Sequence, residues 1–136
     1  MEHGGVKRLF LKNGIRGFIY EEYPREALSG VLNGYLTAVL GICEMQQFSS
    51  GYDRMFADNM RNLKQIIPLY DSGYWSFYAL DGNLSSGFYH RYVIKQLTVL
   101  AEADPSLEPY VSRFEAYQKH FVFQTRALYN KIRYKL

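Results

Sequence analysis

Tyrosine is the residue type here with the most chemistry on offer: 13 of 136 positions, beside nine Phe and one Trp. A phenol ring has a flat amphipathic face and a hydrogen-bonding tip, which suits the face of a sugar ring. A free phenol titrates near ~10. A neutral tyrosine can therefore donate a proton unaided, whereas a phenolate base needs a nearby cation or several donors. Tyrosine also fills cores, and composition alone leaves sugar handling and packing evenly open. Other reactive types are sparse. His3, His90 and His120 are scattered, and the lone Cys43 lies in the apolar run Leu40-Gly41-Ile42-Cys43. No Cys/His cluster has metal-ligand spacing, no internal disulfide can form, and Cys43 reads as a small buried hydrophobe.

The elements that must position these side chains follow from periodicity. Residues 6–11 and 17–20 read as short strands or extended segments around the turn signal Asn13-Gly14. Pro24 pushes Tyr23 out of helical space. Val31, Leu32, Tyr35, Leu36, Val39, Leu40 and Cys43 line one face of a helix over 29–47, with Ser29 as its N-cap. Gly34 and Gly41 inside it each cost up to ~1 kcal/mol relative to Ala, which points to a close neighbour. A second helix is expected over 52–67, ended by Pro68. A third runs over 89–103, and a fourth from 108 to about 128 or beyond, with Pro105 and Pro109 at its start. Residues 74–80, Tyr-Trp-Ser-Phe-Tyr-Ala-Leu, read as the best strand of the chain. Trp75 reads as a core anchor, and Asn33 as a residue that bonds backbone.

Together these predict one mainly α domain over 1–136, with 1–13 as a ragged N-terminal extension. Its helical hairpins would form a partial (α/α) toroid, with short β-strands or extended aromatic segments between them. Such rings normally need more than two hairpins, so a longer chain or a partner is expected to complete this one. The partners considered are an N-terminal domain and a second copy in a homodimer.

Three segments narrow the chemistry. The first is Glu21-Glu22-Tyr23-Pro24 followed by Val31-Leu32-Asn33-Gly34; the second is Leu69-Tyr70-Asp71-Ser72-Gly73 leading to Phe77-Tyr78-Ala79-Leu80; the third is Tyr89-His90 leading to Gln96-Leu97. In this order they resemble the C-terminal domain of the glucuronyl C5-epimerases, over roughly residues 14–118. The resemblance implies inversion at C5 of a hexuronic acid inside a heparan-type polysaccharide, from D-glucuronate to L-iduronate. The C5 hydrogen lies α to the uronate carboxylate, so its removal leaves a carbanion that the carboxylate delocalises. Reprotonation from the other face completes the inversion, which asks for an acid/base group on each side. Carried over by motif, those groups are Glu22, Tyr23, Tyr78 and Tyr89. His90 becomes a candidate for the substrate carboxylate. Where the family has an arginine after x-Tyr-x-Leu this chain has Asp81, and Arg91 or Arg16 is the cation left to meet that carboxylate. The chemistry needs no metal and no organic cofactor. A uronate lyase, which begins with the same proton abstraction, and a non-catalytic glycan-binding or remnant domain are the alternatives.

Net charge is +3, too small to argue for nucleic acid and compatible with an acidic polysaccharide. No stretch approaches the ~20 apolar residues of a membrane span. Residues 1–5 lack an apolar signal core, so a complete chain would be cytoplasmic. The cations of 126–135 read as a solvated last helical turn.

Overall fold

The computed structural model describes residues 7–22 and 26–136. Strands β1 (Lys7–Lys12) and β2 (Ile15–Tyr20) form an antiparallel hairpin in which Lys7 faces Tyr20 and Lys12 faces Ile15. Asn13 and Gly14 both take positive φ, 51° and 77°, the backbone a two-residue hairpin turn requires. The turn and both short strands match the sequence expectation.

Five helices follow: α1 (Leu32–Met45), α2 (Gly51–Ile66), α3 (Gly87–Ala103), α4 (Glu108–Lys119) and α5 (Phe121–Lys135). Helix α1 packs against both α2 and α3, α3 against α4, and α4 against α5, with the hairpin laid on α2. Leu32, Tyr35, Leu36 and Val39 of α1 meet Leu63 and Ile66 of α2 and Val93, Leu97 and Leu100 of α3 in one core. Asn62 of α2 ties the hairpin down: its amide donates to Phe18 O and to Tyr35 Oη (2.9 and 2.8 Å), and its Oδ1 accepts from Phe18 N (2.9 Å). These bonds satisfy buried polar groups that would otherwise cost ~1–3 kcal/mol each.

Several expectations are corrected. Ser29 does not cap α1. The helix starts three residues later, with Val31 at the N-cap position and no side-chain cap. Gly30, at φ +65°, turns the chain first, and Ser29 is engaged by Glu21 instead. Residues 74–80 are not a strand. They form an irregular loop with isolated bridges, Asp71 to Ser76 and Phe77 to Leu84, because their backbone bonds go to different elements: Phe77 N to Tyr70 O, Tyr78 N to Asn83 O, and Leu80 N to Ser29 O. The fourth helix is two helices, broken at His120, whose ψ of 110° is extended. Cys43 is half-buried. On α3, Tyr92 and Val99 are exposed, while His90 and Gln96 are buried. Trp75 is in the core as expected. No helix among the described residues is long and apolar enough to cross a membrane.

Candidate functional site

The loop of residues 71–86 is held to the helical body by a buried polar cluster. His90, on the first turns of α3, is fully buried. Its Nε2 donates to Phe114 O on α4 (2.9 Å), which leaves Nδ1 as acceptor toward Ser76 N (3.3 Å) and Ser76 Oγ (2.7 Å). The ring stacks on Trp75 at 3.8 Å, and Trp75 Nε1 donates to Ser85 O (2.9 Å). Burial pulls the imidazole down to about 4, so it is neutral at pH 7. His90 was expected at a substrate carboxylate. The structure instead seals it inside, with both ring nitrogens engaged by protein, where it fixes the loop between α3 and α4.

That loop delivers Tyr78. Its carbonyl accepts from Leu32 N at the start of α1 (3.0 Å), and its ring meets that of Tyr89 edge-on, with centroids 5.0 Å apart and planes at 61°. Tyr89 sits in the first turn of α3, whose N-cap Ser86 accepts from Tyr89 N (3.2 Å). Both rings are half-buried. Two tyrosines that the sequence separates by a turn and a loop are thus in ring contact.

Glu22 reaches the same part of α1. Its side chain lies across Gly34: a Cβ there would stand 2.4 Å from Glu22 Oε1 and 3.0 Å from its Cδ. Gly34 is two residues past Leu32, the residue that holds Tyr78. The glycine's cost within the helix is explained by this close approach. Glu21 is engaged by the segment before α1. It is buried, with Oε1 accepting from Ser29 N and Gly30 N (3.2 and 2.9 Å) and Oε2 from Ser29 Oγ (2.8 Å). The structure brings Tyr78 and Tyr89 into ring contact and lays Glu22 on Gly34 of α1. Tyr23 lies outside the described residues.

The two candidate cations are elsewhere. Arg16 lines a groove of about 810 Å³ between the hairpin and α2, beside Lys7, Asp58 and Arg61. Arg91 lines a second groove, of about 480 Å³, between α3 and α5. Neither lining includes Glu22, Tyr78 or Tyr89.

Other tyrosines are removed from acid/base work by their surroundings. Tyr35 and Tyr70 are fully buried, and burial raises both phenols further above their usual value. Tyr70 Oη donates to Gly30 O (2.7 Å) and Tyr35 Oη to Asn59 O (3.1 Å). They are packing groups. Among the described residues no set of three His, Cys, Asp or Glu side chains is placed to hold a metal.

One pair escaped the sequence reading. Gln96 of α3 donates to Asn33 O and Thr37 Oγ1 of α1 (3.1 and 2.9 Å), joining the two helices. Gln96 Oε1 and Asn33 Oδ1 are buried acceptors without a hydrogen-bond partner. Asn33 Oδ1 therefore does not bond backbone as its position had suggested. The available signal was the seven-residue spacing of Tyr89 and Gln96, which puts both on one helix face.

Comparison with known proteins bears on this geometry. The family model described as D-glucuronyl C5-epimerase C-terminus matches residues 1–122. A D-glucuronyl C5-epimerase of Caenorhabditis elegans is 30% identical over 138 residues, covering 84% of this chain and 22% of that protein. An uncharacterized protein of Methanocaldococcus jannaschii is 27% identical over 100 residues, covering 71% of this chain and 32% of that protein. The chain thus spans about a fifth and about a third of the lengths of these relatives.

Proposed function

Because the chain belongs to the D-glucuronyl C5-epimerase family, through that family's C-terminal region, we propose that Glu22, Tyr78 and Tyr89 act on the C5 proton of a hexuronic acid within a polysaccharide. The observation that carries this is the edge-on contact of Tyr78 and Tyr89 at 5.0 Å, with Tyr78 bonded through its carbonyl to Leu32, two residues before the Gly34 on which Glu22 rests.

Glu22 is the base: its carboxylate is exposed and can take the C5 proton. The electron pair left at C5 is delocalised into the adjacent uronate carboxylate. A phenol of the tyrosine pair returns a proton from the opposite face, and the centre is inverted. The base gains one proton and the phenol loses one, so a single exchange through solvent resets the site with no redox step. Tyr23, next to Glu22 in the chain, orients the carboxylate or shares its proton. The helical layers α1 to α5 are read as an arc of an (α/α) toroid, with further segments of a longer protein or a second copy closing the cleft.

The test is solvent exchange. The protein is incubated in deuterated water with an unsulfated or N-sulfated glucuronate polymer, and deuterium at C5 is read by NMR. The reading predicts incorporation that falls by about 10²-fold or more in Tyr78→Phe and Tyr89→Phe, the usual worth of a positioned acid or base. Ultraviolet absorbance from an unsaturated uronate would assign a lyase instead. Saccharide binding with no exchange in the unaltered protein would assign a binding domain.

A further inference from the structure

Helix α5 runs from Phe121 to Lys135 and lies almost wholly beyond the residues matched by the family. It nevertheless builds one wall of the groove of about 480 Å³ that Arg91 lines, a size within the range of small-ligand sites, ~300–1,000 Å³. Three cations project there, Arg91 from α3 and Lys131 and Lys135 from α5, over a floor that includes Trp75, Leu128 and Ile132. Among the described residues no Asp or Glu lines the groove. Among the described residues none of the three cations forms an ion pair. Lys131 Nζ is aimed by bonds to Leu84 O (2.7 Å) and Asn83 Oδ1 (3.4 Å), and its pKa is lowered by burial and by Lys135. Asp81 approaches α5 through Tyr134 Oη (3.3 Å), outside the groove lining.

The groove is also connected to the tyrosine pair. Phe88, 63% exposed, packs edge-on against Tyr89 (5.2 Å) and stacks on Tyr92 (6.1 Å, 21°). Going round the first turns of α3, the order is Tyr89, Tyr92, Phe88 and then Arg91, at 100° per residue. An aromatic strip therefore leads from one site to the other, a surface on which successive sugar rings can lie.

We propose that the groove between α3 and α5 is a second subsite, holding the carboxylate or sulfate of a sugar unit remote from the ring at Tyr78 and Tyr89. This rests on the polysaccharide reading above and names how the polymer is held. Cations that no described carboxylate pairs, over an apolar floor, suit an anionic pyranose, whose charge meets the lysines while its C–H face covers Leu128 and Ile132.

The full chain is titrated calorimetrically with a long unsulfated glucuronate oligosaccharide, its N-sulfated counterpart and a disaccharide. The Lys131→Gln/Lys135→Gln variant should bind the long oligosaccharides about tenfold more weakly, the worth of one charge-assisted hydrogen bond, with a shallower salt dependence and no change for the disaccharide. Lys135→Gln alone removes no side-chain hydrogen bond or ion pair among the described residues and should show part of the same loss, which separates binding from folding. Equal losses for both oligosaccharides assign the carboxylate, and a loss confined to the N-sulfated one assigns the sulfate. Unchanged affinities in both variants would overturn the subsite. So would equal binding, with equal loss, of polyglutamate, which carries charge without rings. The two readings fail separately. Binding that depends on the lysines with no C5 exchange would sink the epimerase reading and leave the groove. Exchange with an unaltered KM in the lysine variants would do the reverse.

Discussion

Glu22 rests on Gly34, so closely that a methyl group there would stand 2.4 Å from the carboxylate oxygen. The two residues are twelve apart in sequence, and the missing Cβ is what makes room for the contact. Gly34→Ala therefore separates fold from site. The new methyl meets the end of a flexible, exposed side chain, which can swing aside, and alanine favours the helix by up to ~1 kcal/mol. The melting temperature should be equal or higher. Deuterium incorporation at C5 should fall by about tenfold or more, because a displaced base loses its alignment. Exchange equal to that of the unaltered protein would remove Glu22 from the chemistry.

Glu21 and Glu22 are neighbours with opposite fates. Glu21 is buried and accepts three hydrogen bonds from Ser29 and Gly30, the segment that leads into α1. Glu21→Ala leaves those donors unpaired and should cost about 2–4 kcal/mol in chemical denaturation. Glu22→Gln, at an exposed position, should alter stability by no more than about 0.5 kcal/mol and abolish most exchange. Equal destabilisation by the two would contradict the geometry.

Gly30 supplies a third contrast. It has φ +65°, and a Cβ there would lie 2.6 Å from Leu80 Cδ1 and 2.8 Å from Leu80 Cγ. Left-handed backbone costs an L-residue about 1–2 kcal/mol, and the crowding of Leu80 adds to it. Gly30→Ala should destabilise the protein by about 2–4 kcal/mol and, by shifting the neighbouring Leu32–Tyr78 bond, reduce exchange as well. A melting temperature equal to that of Gly34→Ala would show that the left-handed turn is not needed.

The sequence made the helices legible because apolar spacing dictates which face is buried. Tyr35, Leu36 and Val39 in α1 are buried as their period requires, and Asn13-Gly14 turns as its φ preferences require. It misled where backbone partners are distant. Residues 74–80 have strand-like composition, but Trp75 and Ser76 are consecutive and both buried; alternation fails because His90 and Ser85 capture that segment. The break at His120 has no glycine or proline to announce it. Of the candidate site, the ring contact of Tyr78 and Tyr89 joins residues from two separate motifs, and nothing in local sequence could reveal that His90 faces inward, since its partners Ser76 and Phe114 are 14 and 24 residues away.

His90 also makes stability depend on pH. The unfolded imidazole titrates near 6.5 and the folded one near 4, lowered by burial. Between those values the unfolded chain takes up a proton that the folded one refuses, so acid favours unfolding. The contribution is fully present above pH 6.5, is lost as pH falls toward about 4, and amounts to about 3 kcal/mol over that interval. Urea midpoints measured at pH 7, 6, 5 and 4.5 should decline, and the decline should be shallower in His90→Gln, which lacks the titrating group, even though that variant starts from lower stability. Parallel declines in the two proteins would assign the acid sensitivity to carboxylates and show that the Trp75–His90–Phe114 cluster does not hold a neutral imidazole.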